Sequence, residues 1–211
     1  MSGYEAAKRV LDLLVAVVGI VVTSPFLLAT ALAIKLESRG PVIFRQERVG
    51  RGGRPFQILK FRTMVEGAHL LGPGYLVSKG DPRITRIGAF LRRWSLDELP
   101  QLYNILRGQM SVVGPRPTLR YQVDQYTDFQ RRRLEVLPGV TGWAQTRGRN
   151  GLTWPERIEL DVWYVEHRSL ALDVRILLKT LSVISKPDEV YNEQRGDWGE
   201  NLERPGRHAR D

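Results

Sequence analysis

The sequence predicts a mostly helical α+β protein: a re-entrant N-terminal membrane helix, broken as a hairpin at Ser24-Pro25, carrying a small cytoplasmic domain. Three observations predict it. Val10 to Ile34 is apolar nearly throughout. Val42-Ile43-Phe44 and Phe56-Gln57-Ile58-Leu59 flank Gly50-Arg51-Gly52-Gly53 as short strands flank a hairpin turn. From Ile84 onward, apolar residues recur at helical spacing. The expected organisation is an anchor over 1–39, a folded domain over 40–186 and a polar tail over 187–211.

At about 1.5 Å per helical residue the apolar run is about 37 Å long, enough to cross a hydrocarbon core of ~30 Å. Pro25 has no backbone N–H and clashes with the preceding turn, so two half-length helices compete with one straight span. Lys8 and Arg9 precede the run; Lys35 and Arg39 follow it. Cations mark the cytoplasmic side. A helix that dips in, bends at Ser24-Pro25 and returns keeps both pairs there, and Ser24 can bond a carbonyl that the proline releases. The rival readings are a single span, a buried core helix and a cleaved signal peptide. Uniform apolarity argues against the core helix, and no small-residue cleavage site follows the run.

The 211 residues suit one folded domain of ordinary size beside the anchor. Without cysteine there are no disulfides, no thiolate catalysis and no cysteine-bound zinc, and only three histidines argue against a histidine-rich metal site. A net charge of +9 points to an anionic partner: nucleic acid, an acidic lipid surface or phosphorylated small molecules. Behind a membrane anchor the second and third are favoured.

Taken in order, the hairpin after the anchor delivers Lys60 and Arg62 at its exit. Glu66 to Ser78 is expected to be a glycine-rich loop. Asp81-Pro82 is expected to open a helix striped by Ile84, Ile87, Leu91 and Trp94. Asp97 and Glu98 sit where the next helix begins, with Leu99, Leu102, Ile105 and Leu106 on one face and Gly108 as its stop. Ser95 to Glu98 reads equally as a capping box, and Pro100 makes Asp97 itself a candidate cap; capping and chemistry are compatible readings of these acids. Arg116, held between two prolines, is a rigidly aimed guanidinium suited to bidentate phosphate binding, or else a surface turn. Gln122 to Leu137 is expected as a basic, solvent-facing helix. Pro138 to Asn150 is expected as a loop whose Trp143, Gln145, Arg147, Arg149 and Asn150 could hold a nucleotide. Arg157 to His167 and a last helix capped by Asp173 read either as interfacial amphipathic helices or as core helices.

These blocks together resemble the bacterial sugar transferase family, the small monotopic phosphoglycosyl transferases that load polyprenyl phosphate. The resemblance runs from Lys8 to Ser185. It rests on KRVLDLL with Ser24-Pro25, PVIFRQERVG, FQILKFRTM, DPRITRIGAFLRRWSLDELPQL, SVVGPRP, PGVTGWAQTRGRN and ELDVWYVEHRSLALD. It implies a catalytic domain on the cytoplasmic face of the bacterial inner membrane, in the family's minimal form. It implies that Asp97 attacks the β-phosphate of a UDP-sugar, forming a phosphosugar–aspartate and releasing UMP, before polyprenyl phosphate takes the sugar phosphate. Glu98 would handle a proton or orient the pair, and Mg²⁺ would be held through Asp97. Lys60, Arg92 and Arg116 would contact phosphates; Arg149 and Asn150 would read nucleotide or sugar; Asp161 would support them. The expected partners are the UDP-sugar, the polyprenyl phosphate and the bilayer, with no nucleic acid, and a homodimer is compatible with this. The rival class is a membrane-tethered basic protein that binds nucleic acid or anionic lipid without catalysis.

Overall fold

The computed structural model describes residues 3–68, 71, 80–148 and 151–184. The expected polar tail over 187–211 lies outside them. Among the described residues the chain is mostly helical, with two separate two-stranded sheets, which bears out the α+β reading.

Helix α1 runs unbroken from Gly3 to Glu37 with Pro25 inside it. The expected break at Ser24-Pro25 therefore does not interrupt the helix. The reason is local. Proline removes the bond that would end on the carbonyl of Val21, and the Ser24 hydroxyl donates to that same oxygen at 2.8 Å. One residue earlier, Thr23 donates to Gly19 at 2.6 Å. Only 11% of the most apolar stretch of α1 is buried, so it is not the core helix of a soluble protein.

The two faces of α1 differ. Asp12, Ala16, Thr30 and Ile34 are buried along one side, while Val10, Leu14, Val18, Val21, Leu28, Leu32 and Leu36 form an exposed apolar stripe on the other. The inner face touches the folded domain toward both ends. At the start, Tyr4 and Lys8 bond the Asp173 carboxylate at 3.0 and 2.9 Å. Arg9 donates to the carbonyls of Ile105 and Leu106, and Asp12 accepts from Ser111 and Val112. At the far end, Glu37 accepts from the backbone N–H groups of Arg86 and Ile87. Arg62 donates to the carbonyls of Ser38 and Arg39.

Strands β1 (Ile43–Val49) and β2 (Pro55–Phe61) form the expected antiparallel hairpin, in register from Ile43 opposite Phe61 to Val49 opposite Pro55. Its tip is the short turn Arg51–Gly53, where Gly52 has φ +65. The outer edge of β2 is closed by a side chain. Asn104, from helix α3, accepts from the N–H of Leu59 at 3.1 Å and donates to the carbonyl of Gln57 at 2.8 Å. It thereby acts as a missing third strand.

Helix α2 spans Arg86–Arg93, later than expected. Asp81 is drawn away from capping by Arg83, which takes its carboxylate through backbone and guanidinium. Thr85 caps instead, accepting from Gly88 at 2.9 Å. Gly88 lets α2 lie directly on the chain after β2, since a Cβ there would sit 2.0 Å from the Thr63 oxygen. Helix α3 spans Gln101–Leu106.

Strand β3 (Ser111–Val113) pairs in parallel with β4 (Gly139–Thr141), and helix α6 spans Trp143–Gly148. The segment expected as one open loop over 138–150 is thus a strand and a helix as far as residue 148. Trp143 is 5% exposed and belongs to the core, under Arg147 and stacked on Trp163, so it is not an open aromatic platform for a base. The basic helix expected over 122–137 is two short helices, α4 (Arg120–Val123) and α5 (Asp128–Arg131), and a 3₁₀ turn, Arg132–Glu135. It breaks because Gln122, Val123, Gln130 and Arg133 turn inward.

Helix α7 (Trp154–His167) opens on a Thr153/Glu156 capping box with Pro155 in its first turn. Helix α8 spans Leu170–Ile184. Asp173 does not cap it; its carboxylate goes to Lys8, Tyr4 and Tyr164. Ile176 is fully buried, while Leu170, Val174, Leu178 and Leu181 form a second exposed apolar stripe.

Candidate active site

The acidic pair lies on a 3₁₀ turn, Leu96–Glu98, between α2 and α3. Neither acid caps a helix: Pro100 occupies the N-cap of α3, and Ser95 makes no capping bond. The turn is forced by Ser95, the one non-glycine residue with positive φ among the described residues (φ 56). A serine in that left-handed conformation is strained, and it reverses the chain sharply after α2.

The two carboxylates are treated unequally. Glu98 is gripped from both sides. Lys60 Nζ, at the end of β2, donates to its Oε1 at 2.6 Å, and Arg116 Nη2 donates to the same oxygen at 2.7 Å. Burial opposes ionisation of Glu98, but the charges and hydrogen bonds of Arg116 and Lys60 outweigh it and hold the carboxyl well below its ordinary range. Asp97 makes no hydrogen bond or ion pair among the described residues. Burial first, and the Glu98 charge second, push its pKa up to about 6, against the pull of Lys60, Arg92 and Arg116. One acid is locked as an anion that orders two cations. Its neighbour is an unbonded, half-buried carboxylate ringed by positive charge, which is what an attacking carboxylate needs.

Each cation has its own support. Lys60 is placed by β2 and the Asn104 brace on that strand. Arg92, in the last turn of α2, donates through Nε to the buried Thr63 hydroxyl at 2.7 Å, leaving its terminal nitrogens for other partners. Arg116 stands between Pro115 and Pro117 with an exposed side chain, and its backbone carbonyl accepts from Arg133 Nη2 at 2.9 Å. Arg133 is 3% exposed, pairs with Asp161 and donates to the Tyr126 hydroxyl.

Glu98→Gln is expected to move the acid limb of the pH–rate profile down by about one unit, because the neighbouring charge that raises Asp97 is gone. An unmoved limb in a pH series of initial rates would contradict this coupling.

Comparison with known proteins fits this arrangement. The family model described as bacterial sugar transferase matches residues 3–187. The chain belongs to the bacterial sugar transferase family. This transferase is similar to an uncharacterized sugar transferase EpsL of Bacillus subtilis, 44% identical over 82% of this chain and 85% of that one. It is 46% identical to a UDP-glucose:undecaprenyl-phosphate glucose-1-phosphate transferase of Caulobacter vibrioides, over 89% of this chain and 73% of that one. It is also 44% identical to a UDP-N-acetylgalactosamine-undecaprenyl-phosphate N-acetylgalactosaminephosphotransferase of Aeromonas hydrophila, of whose length the match spans 44%. The chain is accordingly an enzyme, a phosphoglycosyl transferase.

Of the site residues expected in this sugar transferase, Asp97, Glu98, Lys60, Arg92 and Arg116 come together around one turn. Arg149 and Asn150 lie outside the described residues. Asp161, expected beside the substrate in a supporting role, is 2% exposed and engaged by Arg133. The same arginine holds the Arg116 carbonyl. Thr63, Asn104, Tyr126 and Arg133 were not anticipated. Each is a polar side chain inside an otherwise apolar or basic stretch, and only the contacts of the fold make it legible. Among the described residues no three acidic or histidine side chains cluster as a metal cage. Mg²⁺ keeps waters and needs only one or two carboxylates, and Asp97 offers one that no protein group occupies among the described residues.

Proposed function

We propose that this transferase moves a sugar 1-phosphate from a UDP-sugar to polyprenyl phosphate in two displacements at Asp97, initiating glycan assembly. In the first, an Asp97 oxygen attacks the β-phosphorus, the bond to the bridging oxygen breaks, and UMP leaves. In the second, an oxygen of polyprenyl phosphate attacks the aspartyl phosphate and frees the carboxylate. The unequal acids carry this reading: Asp97 is unbonded and raised, Glu98 is locked between Lys60 and Arg116. Arg92, Arg116 and Lys60 offset the phosphate charge that shifts during transfer. Asp97 would hold Mg²⁺, which when bound supplies Lewis-acid neutralisation of the diphosphate.

The anchor is proposed to be re-entrant through a bend of the continuous helix at Pro25, with the domain on the cytoplasmic face of the inner membrane. Both ends of α1 bond to the same folded body, through Lys8 and Asp12 at one end and Glu37 at the other. The outward stripes of α1 and α8 supply apolar surface for the bilayer. Because the chain has no cysteine, Ala7→Cys and Lys35→Cys are clean reporters; both are expected to label from the cytoplasmic side, and labelling from opposite sides would contradict re-entrance. The reaction is tested by offering a panel of UDP-sugars to the membrane-reconstituted protein with Mg²⁺ and polyprenyl phosphate. Release of UMP with at least one donor supports it, and no release from any donor overturns it.

A further inference from the structure

Arg157 is a cation that the dyad chemistry above leaves unused. It lies in the first turn of α7, where the helix dipole disfavours positive charge. Its Nε donates to the Leu152 carbonyl at 3.2 Å, and its guanidinium stands 5.7 Å from the Trp154 ring centre. The two terminal nitrogens have no partner among the described residues. The acid one turn later, Asp161, is taken by Arg133. Burial lowers the pKa of Arg157, the Arg116 charge lowers it further, and Asp161 offsets only part of this. Folding has therefore put a partly buried, oriented guanidinium one turn before the Asp161–Arg133 pair that holds the Arg116 carbonyl, with no carboxylate of its own. Structural arginines in this chain behave otherwise: Arg62, Arg83 and Arg133 each spread their nitrogens over several protein acceptors.

We propose that Arg157 and Arg116 together form a phosphate subsite of the transferase, in which the free edge of Arg157 takes a phosphate oxygen pair. This rests on the two-displacement reading above. The chain Glu98–Arg116–Arg133–Asp161 links the dyad to α7 by direct contacts, so the subsite is at the rim of the reacting centre. A planar guanidinium with its Nε already committed presents its remaining donors as a fork, the geometry that a phosphate accepts. Two phosphates visit this centre, the donor diphosphate and the lipid phosphate, and they share the same chemistry.

The test uses the full chain in lipid nanodiscs as wild type, Arg157→Gln and Arg157→Lys. UDP binding is measured by calorimetry, and KM is measured separately for the UDP-sugar and for polyprenyl phosphate. Loss of a charge-assisted pair is expected to weaken one ligand by about ten- to hundred-fold in Arg157→Gln. Arg157→Lys is expected to recover part of that affinity, and the thermal midpoint to move little. Weaker UDP binding with a raised donor KM assigns the subsite to the donor; unchanged UDP binding with a raised acceptor KM assigns it to the lipid phosphate. Both constants unchanged, or a loss that tracks a collapsed thermal midpoint in both variants, overturns the subsite. If the wild type releases UMP and only the Arg157 variants behave as wild type, this inference alone falls. If the wild type neither binds UDP nor releases UMP, the two-displacement reading falls with it.

Discussion

Asp97→Asn is expected to lower UMP release at least about a thousand-fold, because an amide cannot supply the oxygen nucleophile that the first displacement needs. The same change is expected to make the protein more stable. Asp97 carries a pKa near 6 in the fold, against about 3.9 for a free aspartate. A raised carboxyl stabilises the fold below its unfolded pKa, and that contribution is lost as pH rises through the folded value. The ionised form at neutral pH is thus the costly one, and asparagine never bears that cost. The variant should gain about 1–3 kcal/mol at pH 7–8, a rise of a few degrees in thermal midpoint, and the gain should vanish near pH 4. Thermal melts of both proteins across that range check the sign. Lower stability of the asparagine variant at pH 8 would contradict the strained-nucleophile picture. A site that sacrifices stability for a poised charge is a common trade.

Asn104→Ala is expected to be the most damaging single change outside the acidic pair. The side chain is 1% exposed. It accepts from Leu59 and donates to Gln57 and Gln109. Alanine leaves the half-buried N–H of Leu59 and the C=O of the exposed Gln57 without that partner and removes a buried side chain, so a total of about 2–4 kcal/mol is expected. For a chain of this size that is a fall of about 10 °C in thermal midpoint. Lys60, on the same strand, loses its fixed position, and activity should drop more than stability alone explains. Differential scanning calorimetry with a UMP-release assay below the lowered midpoint measures both. A variant that melts like wild type would show that β2 needs no such edge.

Much of this was readable in the order of residues, and the failures share a cause. The hairpin was legible because its apolar segments and glycine turn are local signals. So were the body of α7, although it starts at Trp154 rather than at the expected Arg157, and the acidic pair between helices. Helix ends were misread where another contact or the backbone itself drew the expected cap away. Asp81 suits capping, yet Arg83 takes it, and Thr85 caps instead. Ser95 and Asp97 look like caps, yet the positive φ of Ser95 turns them away from that task. Trp143 looked like a base platform because a loop was expected around it; the pairing of β4 with β3 made it core. Arg133 and Asp161 lie 28 residues apart, and no local pattern joins them. The continuous α1 depended on Ser24 reaching the carbonyl that Pro25 frees, a contact the sequence suggested but could not weigh against a break.

The central claim is that Asp97 carries the sugar phosphate covalently between donor and acceptor. It is tested most directly by incubating the membrane-reconstituted protein with a UDP-sugar and Mg²⁺ but no lipid acceptor, then quenching, digesting and weighing the peptides. The account predicts a sugar-phosphate mass on the peptide that contains Asp97, discharged when polyprenyl phosphate is added. An unmodified Asp97 peptide alongside UMP release, or the same mass on another peptide, would contradict it.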